Sequence, residues 1–305
     1  MWRGVFGLWA ARRVPVILVA MGARWVVGID GSDAAIDALR WAVAHSAGRE
    51  IEITALGAFH VSAMMALFTA KRGFGVDELG LAAVAGHDVD VAIEAATASH
   101  PDAARVQPLV VEGQAPHVLI DATVDADLLV IGRTGAGELR HHPLGSVSRY
   151  CATHAHAPVA VVPIGAAHDR ISSIVVGFDG SDHAGDALRW ALEFGGDTAH
   201  VRAIAAIEVA PWLDEDLTRD RFGDEIEAEQ QRITNALDAI DPHGRAERSI
   251  VMQGPRQALA EAQSGADLVV VGTRGRGLIA AGLLGSVSAW LLHDAAIPVV
   301  IVPSR

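Results

Sequence analysis

At 305 residues the chain is long enough for about two domains of ordinary size, and with 51% hydrophobic against 20% charged residues it has ample material for a core. A formal net charge of −13 argues against a nucleic-acid backbone or an anionic membrane surface as the main partner. The single cysteine, Cys151, excludes an internal disulfide and suits a reducing, cytoplasmic compartment, and the single lysine, Lys71, leaves almost nothing for phosphate chemistry that depends on lysine.

Residues 1–23, MWRGVFGLWAARRVPVILVAMGA, begin apolar but are broken by Arg12-Arg13. The run VPVILVAMGA beyond the arginines is short of the ~20 apolar residues that a spanning helix needs. This stretch is read as an N-terminal extension, either a loose tail or an upstream start with Met21 as the working start in place of Met1. An export signal or anchor is the alternative.

Residues 26–42, VVGIDGSDAAIDALRWA, recur as 175–191, VVGFDGSDHAGDALRWA, with fourteen of seventeen positions identical. Each copy is a short apolar strand, then Asp-Gly-Ser-Asp, then a helical run that Ser32 or Asp33, and Ser181 or Asp182, can cap. Second strands are expected at 51–61 and 199–209, followed by irregular polar stretches at 62–80 and 210–222. Helices are expected at about 81–99 and 223–240, and third strands at 105–113 and 248–254. Further helices start near Pro116 and Pro255, where first-turn proline is suitable.

A second duplication then appears: ADLLVIGRTGAGELRHHPLGSVS at 126–148 and ADLVVVGTRGRGLIAAGLLGSVS at 266–288. LLVIG and LVVVG read as buried parallel strands. The Gly-Ser pairs Gly145-Ser146 and Gly285-Ser286 read as helix starts with serine near the cap. A glycine-rich loop between strand and helix offers backbone N–H groups where an anion is favoured. Final strands are expected at 157–163 and 297–303. The openings are 149 residues apart and the glycine units 140, so the first half carries nine extra residues, assigned to the irregular stretch. Repeats this long are two copies of one domain rather than a solenoid. The boundaries are then 24–164 for the first domain, 165–171 for the linker and 172–305 for the second domain.

Alternating strands and helices imply a doubly wound α/β fold, with ligands at the carboxyl ends of the strands where the winding reverses. Asp30 and Asp179 end the first strands and the glycine loops end the fourth. The plain alternative is that the glycines are tight-turn residues needing positive φ and the aspartates ordinary turn or cap residues; recurrence of the whole set in both halves favours a binding site.

No catalytic set emerges. There is no G-x-x-x-x-G-K-[ST], no G-x-S-x-G, and no third glycine after Gly135-Ala136-Gly137 or Gly275-Arg276-Gly277 to complete a dinucleotide fingerprint. Ser146 and Ser286 lack an adjacent base and read as caps and phosphate donors. His154 and His156, two apart, would face different ways on a helix, which argues against zinc. The loops differ in charge, with Arg140-His141-His142 in the first and Arg274 and Arg276 in the second.

Aspartate ending the first strand, with G-x-x-G, nine residues and G-S after the fourth, resembles the universal stress protein family, and in particular its tandem-domain, ATP-binding members found in mycobacteria. The resemblance runs from about Arg24 to Pro303. It implies two five-stranded parallel sheets of strand order 3-2-1-4-5, adenine nucleotide alpha hydrolase-like, packed as a pseudo-twofold dimer within one chain, with ATP between strands 1 and 4. By the same resemblance Asp30 and Asp179 would contact adenosine, Val61 and Val209 the adenine, and Ile131 and Val271 would add apolar wall. Gly132, Gly135, Gly145, Ser146, Gly272, Gly275, Gly285 and Ser286 would hold ribose and phosphates, with one more N–H from Val147 and Val287. Mg²⁺ would accompany the triphosphate, with Asp30 or Asp179 as outer ligands. The implied function is a nucleotide-dependent regulator of stress or dormancy with little or no turnover. A slow ATPase or nucleotide-transferring enzyme, and a nucleotide-independent interaction module, are the alternatives. A further homodimer and the protein partner stay open.

Overall fold

The computed structural model describes residues 23–61, 78–98, 100, 105–136, 144–166, 170–208, 215–276 and 283–304. The extension up to Gly22, most of the first irregular stretch and the opening of the second, Val209 and the loop residues Arg140, His141 and His142 lie outside these.

The first half runs β1 (Ala23–Ile29), α1 (Asp33–Ser46), β2 (Ile51–Phe59), α2 (Glu78–Thr97), β3 (Val106–Glu112), α3 (Ala115–Ala122), β4 (Leu128–Gly132), α4 (Ser146–His154) and β5 (Val159–Val162). The second repeats the plan: β6 (Ser173–Gly177), α5 (Asp182–Gly195), β7 (His200–Ala206), α6 (Glu215–Ile240), β8 (Glu247–Val251), α7 (Pro255–Ala262), β9 (Leu268–Gly272), α8 (Ser286–Asp294) and β10 (Val299–Val302).

The starts of two expected helices move, and the second and third strands of the second half end early, at Ala206 and Val251. Helices α2 and α6 begin at Glu78 and Glu215, so the last residues of both irregular stretches are helical. In α6 the polarity belongs to a solvated face: Glu225, Glu227 and Gln231 are exposed, while Ile233 and Leu237 are buried on the other side.

All the strands join one sheet in the order β3-β2-β1-β4-β5-β10-β9-β6-β7-β8. Each half therefore has the 3-2-1-4-5 order, parallel throughout. The halves meet at β5 and β10, which pair antiparallel with Val300 opposite Ala160. This seam makes the two halves a pseudo-twofold pair within one sheet. Strands β4, β5, β9 and β10 are buried at every position, which is why they read as unbroken apolar runs. Alternate side chains serve two cores: Val300 and Val302 join the one containing Trp25, Leu39 and Leu188, and Val299 and Ile301 join the one containing Leu129, Cys151 and Leu291.

On the first face, aromatic rings tie the halves together. Trp41 and Phe194 stack with centroids 6.1 Å apart and planes at 3°, and Arg49 lies 4.9 Å over Phe194 while donating to its carbonyl at 2.8 Å. Burial lowers the pKa of Arg49. Another bond crosses the seam at the opposite face: Arg133 Nη1 donates to the carbonyl of Ala295, just past α8, at 2.6 Å.

The turn that carries the first aspartate of each half is built alike. Gly31 and Gly180 take φ of 79° and 76°, a left-handed conformation that glycine adopts without strain. Ser32 and Ser181 then occupy the N-cap and accept from the N–H of Ala35 and Ala184, both at 3.2 Å.

Candidate functional site

Strand β1 lies between β2 and β4, with Trp25 opposite Leu128 and Val27 opposite Val130. The chain leaves β1 toward one side of the sheet order and β4 toward the other, so a crevice opens at their carboxyl ends. Asp30 follows β1 directly. Its Oδ1 accepts from Ser32 N at 3.1 Å and Ser32 Oγ at 2.6 Å, and its Oδ2 accepts from Ala136 N at 3.0 Å. Asp179 repeats this, accepting from Ser181 N at 3.0 Å and Arg276 N at 2.8 Å. Each aspartate thus ties the first-strand turn to the glycine loop.

The glycines of the loops are needed for close approach. A Cβ on Gly132 would lie 2.7 Å from the backbone of Ala34, and one on Gly272 equally close to His183. A Cβ on Gly135 would lie 2.7 Å from Asp30 Oδ2, and one on Gly275 2.5 Å from Asp179 Oδ2. None of Gly132, Gly135, Gly145, Gly272, Gly275 and Gly285 has positive φ. For Gly132, Gly135, Gly272 and Gly275 the tight-turn reading therefore gives way to a steric one, whereas a Cβ on Gly285 would make only ordinary contacts, 3.4 Å or more from its neighbours.

Gly145 and Gly285, rather than the serines that follow them, occupy the N-caps of α4 and α8, at φ −67° and −64° and with no side-chain cap bond. This corrects the reading of Ser146 and Ser286 as caps. They are the first helical residues, exposed, and past the position from which a side-chain oxygen can reach back to the free N–H groups. The cap glycines are held by their own N–H, which donates to Arg133 O and Thr273 O, both at 2.8 Å. The serines two positions further on are buried: Ser148 Oγ donates to Gly132 O at 2.7 Å and Ser288 Oγ to Gly272 O at 2.8 Å. Sequence reasoning missed this clasp, although Ser-Val-Ser stands in both copies.

In the first half these groups surround a cavity of about 430 Å³. Of the predicted residues, Asp30, Ile131, Gly132, Gly135, Gly145, Ser146 and Val147 all line it. Its apolar end is completed by Leu56 and Ala58 from β2 and Leu119 from α3, none of which was singled out from the sequence. Gly28 keeps that end compact, since a Cβ there would stand 3.1 Å from Ile131 and 3.2 Å from Leu119. Val61 follows β2 and is not among the lining residues.

The second half repeats the wall. A Cβ on Gly177 would meet Val271 at 2.9 Å and Leu259 at 3.2 Å, and Val287 packs against the same core. Its charges differ, because Arg232 and Glu229 of α6 reach the turn and the loop.

His154 and His156 do not form a pair: His154 ends α4 with its ring on Tyr150, centroids 4.2 Å apart, and His156 lies beyond the helix. Among the described residues no cluster of three or more His, Cys, Asp or Glu could hold a metal, and no helix is long and apolar enough to cross a membrane.

Comparison with known proteins gives the same architecture. The sequence profile of the Universal stress protein family matches residues 21–163 and again 171–303. Universal stress protein Rv2005c of Mycobacterium tuberculosis is 31% identical over 291 residues, covering 90% of this chain and 95% of its own. Universal stress protein Rv2623 of the same species is 31% identical over 296 residues, with the same two coverages. The crystal structure of a universal stress protein from Archaeoglobus fulgidus superposes with a TM-score of 0.55 at 15% identity, covering 92% of this chain and 98% of that one. Two family segments meeting at an antiparallel seam, each with the aspartate and glycine pattern intact, place this chain in the universal stress protein family.

Proposed function

We propose that the chain is an ATP-binding regulator of a stress or dormancy response, holding one nucleotide in the crevice of each half with little or no turnover. The observation that carries this is the closure around Asp30: its carboxylate meets Ala136 N at 3.0 Å beside a glycine whose Cβ would crowd that carboxylate at 2.7 Å, next to a helix start with no side-chain cap. That arrangement leaves peptide N–H groups and a positive helix end at one side of a cavity of about 430 Å³, with an apolar slot at the other. A small-molecule site has these dimensions and this mixed lining.

The residues fit an adenine nucleotide. Leu56, Ala58, Leu119 and Ile131 would flank the base, and Asp30 would accept from the adenosine portion. The loop from Gly132 to Ala136 and the start of α4 would take ribose and phosphates, largely through backbone groups. Asp179, Val271, Gly272, Gly275, Gly285, Ser286 and Val287 would do the same in the second half. Bound Mg²⁺ would neutralise phosphate charge, and Asp30 or Asp179 would serve as outer ligands to it. The sequence carries no Walker-type lysine motif and no G-x-S-x-G nucleophile motif, which supports a site that retains nucleotide rather than cleaving it. The same reading assigns 24–164 and 172–305 as the two domains, joined by 165–171, and places the protein in the cytoplasm acting through a protein partner.

Mass spectrometry of nucleotide released from native protein, with calorimetry on ATP, tests this. Gly135→Val together with Gly275→Val should abolish binding; unchanged affinity in a folded double variant overturns the reading.

A further inference from the structure

The two crevices share a backbone but not a charge pattern. In the second half, Glu229 of α6 binds Arg232 in a two-pronged pair, Nε and Nη2 each at 2.9 Å, and also meets Nη1 of Arg276 on the glycine loop. Arg232 continues to the β6 turn, donating to the carbonyls of Asp179 at 2.6 Å and Gly180 at 3.3 Å. A chain of charges therefore runs from the first-strand turn, through α6, to the phosphate-side loop.

Among the described residues the first half has no counterpart of this cluster. Arg232 and Asp88 stand one residue before the buried Ile233 and Val89, and both lie against the turn glycine of their own half. By this alignment the counterpart of Glu229 is Ala85, and by the repeat of the glycine unit, 140 residues apart, that of Arg276 is Ala136. A carboxylate thus stands near Gly31 where the second half has a guanidinium near Gly180. A Cβ on Gly31 would lie 2.9 Å from Asp88 Oδ2.

Arg276 is the member of the cluster placed to exchange partners. Its side chain is 49% exposed against 34% for Arg232, and its guanidinium contacts Glu229 alone among the described ion pairs, whereas Arg232 also holds two carbonyls. When it leaves, Glu229 remains paired with Arg232, so no half-buried charge is stranded. A phosphate chain carries more negative charge than one carboxylate already paired, and it meets guanidinium with the same fork geometry. The Arg276 N–H is already at the loop, on Asp179.

We infer that Arg276 makes the second site selective for a nucleoside polyphosphate, with Glu229 as its competing anion, while the first site, with Ala136 and Asp88 in the corresponding places, lacks this device. This rests on the nucleotide reading above. It makes the second half a reader of the nucleotide's phosphorylation state.

The experiment isolates the second site by blocking the first with Gly135→Val, or with Ala58→Phe at the apolar end should the former fail to fold, and titrates ATP and AMP calorimetrically. Arg276→Gln should weaken ATP about tenfold or more and leave AMP near its original affinity. Glu229→Gln should strengthen ATP severalfold, and Arg276→Lys should restore part of the loss. A wild-type ratio of ATP to AMP affinity in both Arg276→Gln and Glu229→Gln overturns the inference while leaving the nucleotide reading intact. ATP bound by the parent chain but not by the first-site variant overturns it too, whereas no nucleotide bound by the parent chain overturns both.

Discussion

Asp30 and Gly135, 105 positions apart in the chain, stand so close that a Cβ on the glycine would lie 2.7 Å from the carboxylate, and the next residue's N–H donates to that oxygen at 3.0 Å. Asp179 and Gly275 stand in the same relationship, with the corresponding distances 2.5 Å and 2.8 Å. The second glycine of each loop is thus packed against an aspartate that follows another strand, and a side chain there would have to push that carboxylate aside.

Coupling between them is the first expectation. Gly135→Ala forces the carboxylate and the loop apart and loses the Ala136 bond, a cost of about 1–3 kcal/mol. Adding Asp30→Ala removes the obstruction, so the double variant should be destabilised by less than the sum of the singles. Urea denaturation of the four proteins checks this. Strict additivity would show that the contact does not govern the loop.

The clasp under each glycine loop should behave identically in the two halves. Ser148→Ala and Ser288→Ala each leave a carbonyl without its buried hydroxyl partner, at 2.7 Å and 2.8 Å respectively, and should cost about 1 kcal/mol or somewhat more. Ser146→Ala and Ser286→Ala, at exposed first-turn positions, should change stability far less. Equal effects from both pairs, measured by chemical denaturation, would contradict the assignment of the inner serines as the structural ones.

Acid should loosen the second half selectively at Glu229. Hydrogen bonding from Arg232, with further attraction from Arg232 and Arg276, holds this carboxyl below its ordinary 4.5 against the opposing effect of burial. A carboxylate with a depressed folded pKa adds stability that is fully present above the unfolded value and is lost as pH falls through the folded one. The acid limb of the stability curve below about pH 4.5 should therefore be shallower in Glu229→Gln than in the parent. Superimposable limbs would show that the cluster contributes nothing to folding.

Cys151 is wholly buried in the core on the α4 side of the sheet, and burial pushes its thiol up to about 12. It should resist thiol reagents at neutral pH in the native protein and react at once in denaturant. Rapid labelling of the folded chain would mean that α4 opens away from β4 and β5.

Much of this molecule is legible locally. The unbroken apolar runs at 128–132 and 268–272 announce strands buried on both faces, and Asp-Gly-Ser announces a left-handed turn followed by a cap. The polar run opening α6 misleads, because a helix with a wide solvated face looks like a loop until Ile233 and Leu237 show which side is packed. The serines mislead in a similar way: Ser146 and Ser148 are equally eligible by composition, and only the position of Gly145 as the cap sends one outward and the other under Gly132.

By itself the sequence determined the duplication, the α/β alternation, the aspartates and glycine loops at strand ends, and, by resemblance, the 3-2-1-4-5 order. These are set by periodicity and by residues whose conformational needs are their own. Tertiary structure alone decided which side chains share a cavity and which charges meet. Leu56 and Leu119 close the apolar end only because β2 registers against β1 with Gly28 opposite Leu56 and because α3 packs over them both. Glu229 joins Arg232 to Arg276 across 47 positions of chain. Contacts of that kind depend on packing between elements distant in sequence, and no local pattern carries them.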